Sequence, residues 1–292
     1  MATHVSEIEI AKVPRGRQIR FYLGNSFIFS LLVVASLLML APLIWMFSTS
    51  LRLPRESFSL PPQWLPTDFH AENYAAVFAE VPFFRFFFNS VFVSGMVVAG
   101  QLLTASMAAY AFARLRFPGQ GMLFVVLMSS LMIPIQATII PIFVLLRYLH
   151  LSDTLWSLIL PGWSSAFGVF LLRQYFLTIP DDLEDAARLD GASHWQIFTQ
   201  IVLPLAAPAL AVLAILTFNG YWNEFFRPLI FITSYDRFPL PLGLVTLRGY
   251  LGNGSVAVVL AGVALSLLPV LILYIFTQKY LVEGITLTGI KG

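Results

Sequence analysis

Six windows of this chain contain no Asp, Glu, Lys or Arg: Phe21–Leu51, Phe86–Ala113, Phe117–Leu146, Thr154–Leu172, Gly191–Asn223 and Gly249–Gln278. A helix needs about 20 apolar residues to cross the hydrocarbon core of a bilayer. In that core a backbone polar group has no water to bond, so a spanning segment must satisfy its own N–H and C=O groups as a helix or in a closed barrel. Windows of this length are too long for barrel strands. The composition agrees: 58% of residues are hydrophobic and 11% charged, against about 25% charged in soluble domains. The expected fold is an all-α polytopic membrane protein with six transmembrane helices, embedded in a lipid bilayer. Cysteine is absent, which removes disulfides, thiolate metal sites and cysteine nucleophiles. The net charge of +2 gives no basis for a nucleic-acid partner.

The windows divide the chain into an N-terminal tail (1–20), a membrane domain (21–282) and a C-terminal tail (283–292). The first window is too long and too poorly flanked for a cleaved signal peptide. In the fifth window His194 and the charged stretch before it push the expected span towards Leu205 and beyond. Six crossings place both termini on one side. With that side taken as cytoplasmic, the inner segments hold ten Lys and Arg and the outer segments seven, the asymmetry expected of the positive-inside rule. Residues 52–85, with Pro54, Pro61, Pro62 and Pro66, then form an outer loop. Prolines 134, 141, 161, 204, 208 and 269 fall in or beside spans, where each removes a backbone donor and can bend a helix.

One inner segment, 176–204, stands apart. Pro180 is suited to start a helix, and Asp181, Asp182, Glu184 and Asp185 then crowd its first turns, where carboxylates complement the helix dipole. Leu183, Ala186, Ala187 and Leu189 supply an apolar, mostly small side. Asp190-Gly191 reads as a stop, and Ala192-Ser193 leads into a second helix capped by Ser193. The expectation is a cytoplasmic helix pair. Taken alone, such a charge run is an ordinary solvated loop.

The spacing within it says more. Asp185, Ala186, Ala187, Gly191, Ile201, Leu203 and Pro204 resemble the cytoplasmic loop of ABC importer permeases: Glu-Ala-Ala, three residues, Gly, nine residues, Ile-x-Leu-Pro. Asp185 stands where that pattern has Glu. Asn89-Ser90, Ala109 to Arg114, Phe117-Pro118-Gly119, Trp222-Asn223-Glu224 and the ending Gly284 to Gly292 resemble the carbohydrate-uptake, maltose-type branch. The resemblance implies a permease subunit, in the cell (cytoplasmic or inner) membrane, of an ATP-driven importer for a sugar or sugar-derived solute. It implies two ABC ATPase subunits that bind ATP and Mg, a second homologous permease, and an extracellular or periplasmic solute-binding protein. It also implies that the helix pair meets the ATPase through Glu184, Asp185, Ala186, Ala187, Asp190, Gly191 and Ala192. No cofactor is expected on this chain. Gly284 to Gly289 has phosphate-loop spacing, but Ile290 follows where a lysine belongs.

Polar groups inside spans are costly and often line a path. Gln101, Gln136, Asn219, Trp222 and Asn223 are the candidates for a sugar path, with helix–helix hydrogen bonding as the plainer alternative. An ion-coupled secondary transporter would need charges near mid-membrane, and the first four windows have none. His4, His70, His150 and His194 all lie away from span centres, so neither a metal pair nor a Ser–His dyad is in view, and no catalytic residue is expected.

Overall fold

The computed structural model describes residues 15–53, 64–66, 68–249 and 254–286, and among them every regular element is helical. The far N-terminal tail (1–14), part of the 52–85 loop (54–63 and 67), residues 250–253 and the end of the C-terminal tail (287–292) lie outside the described residues.

Three apolar helices are continuous: α1 (Arg15–Ser50), α3 (Phe83–Arg114) and α14 (Val256–Thr286). Two further windows are helical but bent. Helix α4 (Gln120–Ser129), extended by a tight turn to Met132, meets α5 (Ile135–Tyr148) at 103°. The break has a local cause. Ile133 precedes Pro134, and the proline ring excludes the helical conformation from the residue before it; Ile133 is accordingly extended at φ −86°, ψ 115°. The fifth window bends by 75° between the segment His194–Leu205 and α11 (Ala207–Trp222), with Pro204 and Pro208 on either side. The fourth window divides at Pro161-Gly162 into α6 (Trp156–Ile159), a tight turn and α7 (Ala166–Phe176). Pro42, Pro141 and Pro269 lie inside continuous helices. By length and composition the described helices thus give three spans, or five with each bent pair counted as one, and the expected count of six needs the divided fourth window as well.

Helix α3 is the centre of the bundle, packed on both α7 and α11. Lipid tails are as apolar as leucine, so association inside a membrane depends on close packing and polar links more than on burial. Small residues supply the closeness. A methyl on Gly100 would lie 2.0 Å from the Trp163 ring, and one on Gly168 would lie 3.2 Å from the Ala105 methyl. Helix α1 behaves differently: its side chains from Ser26 are largely exposed until Met46, and its packing partner is α14.

At the end of the bundle where α3 begins, short elements are tied down by backbone hydrogen bonds. They are α12 (Phe226–Phe231), a turn at Tyr235–Arg237 and α13 (Leu240–Val245). Asn89 Nδ2 donates to the carbonyls of Asp236 and Phe238, both at 3.0 Å, and Ser90 Oγ accepts from the Leu240 N–H at 2.7 Å. Asp153 accepts from the N–H groups of Thr233 (2.9 Å) and Ser234 (2.8 Å), from the Ser234 hydroxyl and from Arg237. Burial pushes the Asp153 carboxyl up, but the Ser234 and Thr233 hydrogen bonds and the Arg237 charge outweigh it and hold it at about 2.

Candidate functional site: a helix pair at one end of the bundle

At the opposite end, where α3 stops, the chain leaves α7 and forms α8 (Asp181–Leu189), a turn, and α9 (His194–Ile197). Pro180 immediately precedes α8 with extended ψ, and Asp181, Asp182 and Glu184 occupy the first turn. Asp190 ends the helix. Gly191 follows at φ +83°, a left-handed conformation in which a β-carbon would be strained. Ser193 then caps α9 through a reciprocal box: its hydroxyl accepts from the Gln196 N–H, and the Gln196 side chain accepts from the Ser193 N–H at 2.8 Å. A π-helical turn, Phe198–Val202, carries the chain through α10 (Leu203–Leu205) into α11. Ile197, Phe198 and Val202 bury against Tyr110, Leu172 and Phe176, so the pair rests on a fixed apolar floor.

The structure sorts the seven expected interface residues into two sets. Asp185, Ala186, Asp190 and Gly191 are exposed. With Leu183 (45% exposed) and Leu189 (90% exposed) they make an uncovered face of small and apolar groups edged by carboxylates. Ala187 and Ala192 pack inward on the apolar floor. Glu184 also turns inward, with its side chain 3% exposed. Its Oε1 lies 3.0 Å from Nε of Arg114, the last residue of α3, and its Oε2 accepts from Arg188 Nη2 at 3.2 Å. A carboxylate this buried persists only where cations meet it. Sequence reasoning missed Arg114 as part of this site, although its place at the end of Ala109 to Arg114 was on view.

The five polar-path residues also separate. Gln101 is buried; its Nε2 donates to the Gly162 carbonyl at 3.0 Å and its Oε1 accepts from Thr217 Oγ1. Both ends of this amide are spent joining α3 to α11 and to the Gly162 turn. Trp222 is 2% exposed, stacks on Phe218 and donates to the Ser266 carbonyl at 3.1 Å, which ties α11 to α14. The bonds of these two are of the plainer, helix-joining kind. Gln136, Asn219 and Asn223 are exposed on the surface of the chain. Asn223 Nδ2 donates back to the Asn219 carbonyl at 2.9 Å. Glu224 accepts from the N–H groups of Phe226 and Arg227, which explains an acid at this position as the start of α12. Among the described residues no group of three or more His, Cys, Asp and Glu is placed to hold a metal.

Known proteins match both the fold and this loop. Residues 101–286 match the family described as binding-protein-dependent transport system inner membrane component. The arabinooligosaccharides transport system permease protein AraQ of Halalkalibacterium halodurans is 40% identical over 228 residues, 78% of this chain and 81% of that protein. The probable ABC transporter permease protein YurM of Bacillus subtilis is 33% identical over 291 residues, 98% of this chain and 94% of that one. Among solved structures, a chain of a bacterial ABC transporter involved in the import of the acidic polysaccharide alginate superposes with a TM-score of 0.78 at 28% identity, covering 92% of this chain and 99% of that one. These matches do not favour the ion-coupled alternative. The matched stretch takes in the second half of α3 from Gln101, the helix pair and α14, and the chain belongs to the binding-protein-dependent transport system inner membrane component family, as a permease subunit of an ABC importer.

Proposed function

We propose that this permease carries a sugar or sugar-derived solute, and that α8 and α9 are where a separate ATPase subunit takes hold of it. The observation that carries the docking reading is the uncovered face of α8: Leu183, Ala186 and Leu189 are exposed beside Asp182, Asp185 and Asp190, on a helix held to the bundle by Ala187 and an ion network. An apolar ridge suits a cleft, and carboxylates at its edge suit basic groups at the cleft's rim. The sugar class is supported by the names of the relatives, one an arabinooligosaccharide permease and one from an alginate importer. In this reading ATP and Mg are bound by two ATPase subunits, and this chain has no ATPase site of its own. A second, homologous permease completes the pore, and a solute-binding protein delivers the solute from outside.

Residues 21–282 then form six crossings, with 1–20, 176–204 and 283–292 in the cytoplasm and 52–85 outside. The meeting of Arg114 with Asp181 at one end of the bundle, and of Arg85 with Asp236 at the other, supports that alternation. Gln136, Asn219 and Asn223 are the exposed candidates to line a path shared with the second permease; Gln101 and Trp222 hold its walls. The test is a tagged pull-down of this chain from detergent-solubilised native membranes, with mass spectrometry of what accompanies it. Recovery of an ATPase, a second permease and a solute-binding protein is expected. Recovery of the chain alone, folded by size exclusion, would overturn the reading. A second arm separates docking from assembly at large: Asp185→Lys with Leu189→Asp is expected to lose the ATPase and keep the second permease.

A further inference from the structure

The Arg114 guanidinium lies where three elements meet. It is the last residue of α3, and its side chain is 7% exposed. Nη2 donates to the carbonyls of Phe176 and Ile179, both at 2.6 Å, which closes the free C-terminal end of α7. Nη1 pairs with Asp181 at the first residue of α8, and Nε faces Glu184 one turn further on. Arg188 continues the chain of charges, bridging buried Glu184 to exposed Asp185 at 3.2 and 3.0 Å. Arg114, Glu184, Arg188 and Asp185 alternate in sign from the end of α3 to the uncovered face, with Asp181 as a side branch on Arg114.

Helices α3 and α7 pack closely along their length and need no charge to stay together, whereas α8 lies extensively against no other helix. Its inward contacts are the small side chain of Ala187 and the ion network, while Leu183 and Leu189 point away. Arg114 is therefore the principal tie between α8 and the spans. A planar, five-donor guanidinium is the side chain that can hold two carbonyls and two carboxylates at once.

We propose that Arg114 is a positioning residue that makes α8 move as one body with α3 and α7, so that a displacement imposed on the uncovered face reaches two spans. This rests on the reading that α8 meets an ATPase. The chain has no cysteine, so a single Met107→Cys substitution, on the exposed side of α3, reports motion of that helix through its rate of maleimide alkylation. The complex purified with its ATPase subunits is alkylated with and without ATP and vanadate, and the Met107-bearing peptide is followed by mass spectrometry. Removing one charge of a buried pair strands the other, so Arg114→Met with Glu184→Met is made beside Arg114→Gln and Arg114→Lys.

The expected result is equal ATPase recovery in all variants, with the ATP-dependent change in alkylation rate falling about tenfold in the double variant. Arg114→Lys, which keeps the charge and loses the fork, is expected to fall between it and the unaltered chain. An undiminished ATP response in the double variant would overturn the proposal. So would a folded double variant that loses the ATPase, since the pair would then shape the docking face and not transmit from it. An unaltered chain that recovers no ATPase would overturn the underlying reading, and the inference with it.

Discussion

The two ends of the bundle are both pinned by charge, but they close differently. At the end where α3 begins, side chains bind backbone: Asn89 takes two carbonyls, Ser90 and Asp153 take three N–H groups between them, and little is left over. Where α3 stops, Arg114 also takes two carbonyls, but the network does not end there: the series Arg114, Glu184, Arg188, Asp185 runs outward to a carboxylate in solvent. A network that terminates on backbone fixes a shape and is finished. One that terminates on an exposed acid, beside bare leucines, leaves a face to be covered. The contrast is one of completion: the end with the less complete satisfaction is the one where we propose that an ATPase subunit docks.

The sharpest way to break this comparison is Glu184→Lys. It sets a third cation between Arg114 and Arg188 in a site almost closed to water. Uncompensated buried charge of this kind costs about 3–5 kcal/mol, and a large drop in thermal stability in detergent is expected. At the other end Asp153→Asn removes the charge but leaves an oxygen to accept one N–H, and hydrogen bonds to charged groups are worth about 1.5–3 kcal/mol. If Glu184→Lys melted no earlier than Asp153→Asn, the ionic network would not be the firmer attachment.

Asp153 also gives the far end a signature in pH. Its carboxyl is held at about 2 in the fold, below the ordinary value of about 3.9. A depressed carboxylate contributes stability that is fully present above the unfolded value and is lost as pH falls through the folded one. Melting temperature is therefore expected to decline between about pH 4 and pH 2, and Asp153→Asn to flatten that decline. An unchanged slope in the variant would remove Asp153 from the account.

Gly191→Ala comes next in size. The residue sits at φ +83° with nothing within 4 Å of where a β-carbon would stand, so the cost is backbone strain alone, about 1–2 kcal/mol. The strain falls on the turn between α8 and α9. Faster proteolysis there, with the span α3 still protected, is the expected outcome; a uniform loss of protection would mean that the pair and the spans unfold together.

These variants trace what was legible in advance. Asp190-Gly191 and Ser193 announced the turn and the second cap because a left-handed residue and an N-cap are local demands. Gln196, three residues after Ser193, completed a capping box whose spacing was equally local and was missed. Pro134 broke its window and Pro141 did not, a difference that depends on whether the preceding residue is free to leave the helix. The inward turn of Glu184 was not legible, because the phase of α8 is set by Arg114, 70 residues earlier. The bonding of Gln101 was not legible for the same reason: its partners lie 61 and 116 residues away. Apolar windows gave the spans and local chemistry gave the caps, but which polar side chain points at which other one is a property of the packed bundle.

The smallest effect tests whether charge as such matters at the far end. Arg85 and Asp236 form an ion pair there, with side chains 56% and 71% exposed. Water screens such a pair, and exposed pairs contribute at most about 1 kcal/mol. Asp236→Ala removes the pair but leaves the Asp236 carbonyl, to which Asn89 donates, in place. It is expected to lower the melting temperature less than Asn89→Ala, and its effect is expected to shrink further in high salt. The reverse order would mean that this end, too, is held by ions reaching solvent, and the distinction between a closed end and a receiving end would lose its physical basis.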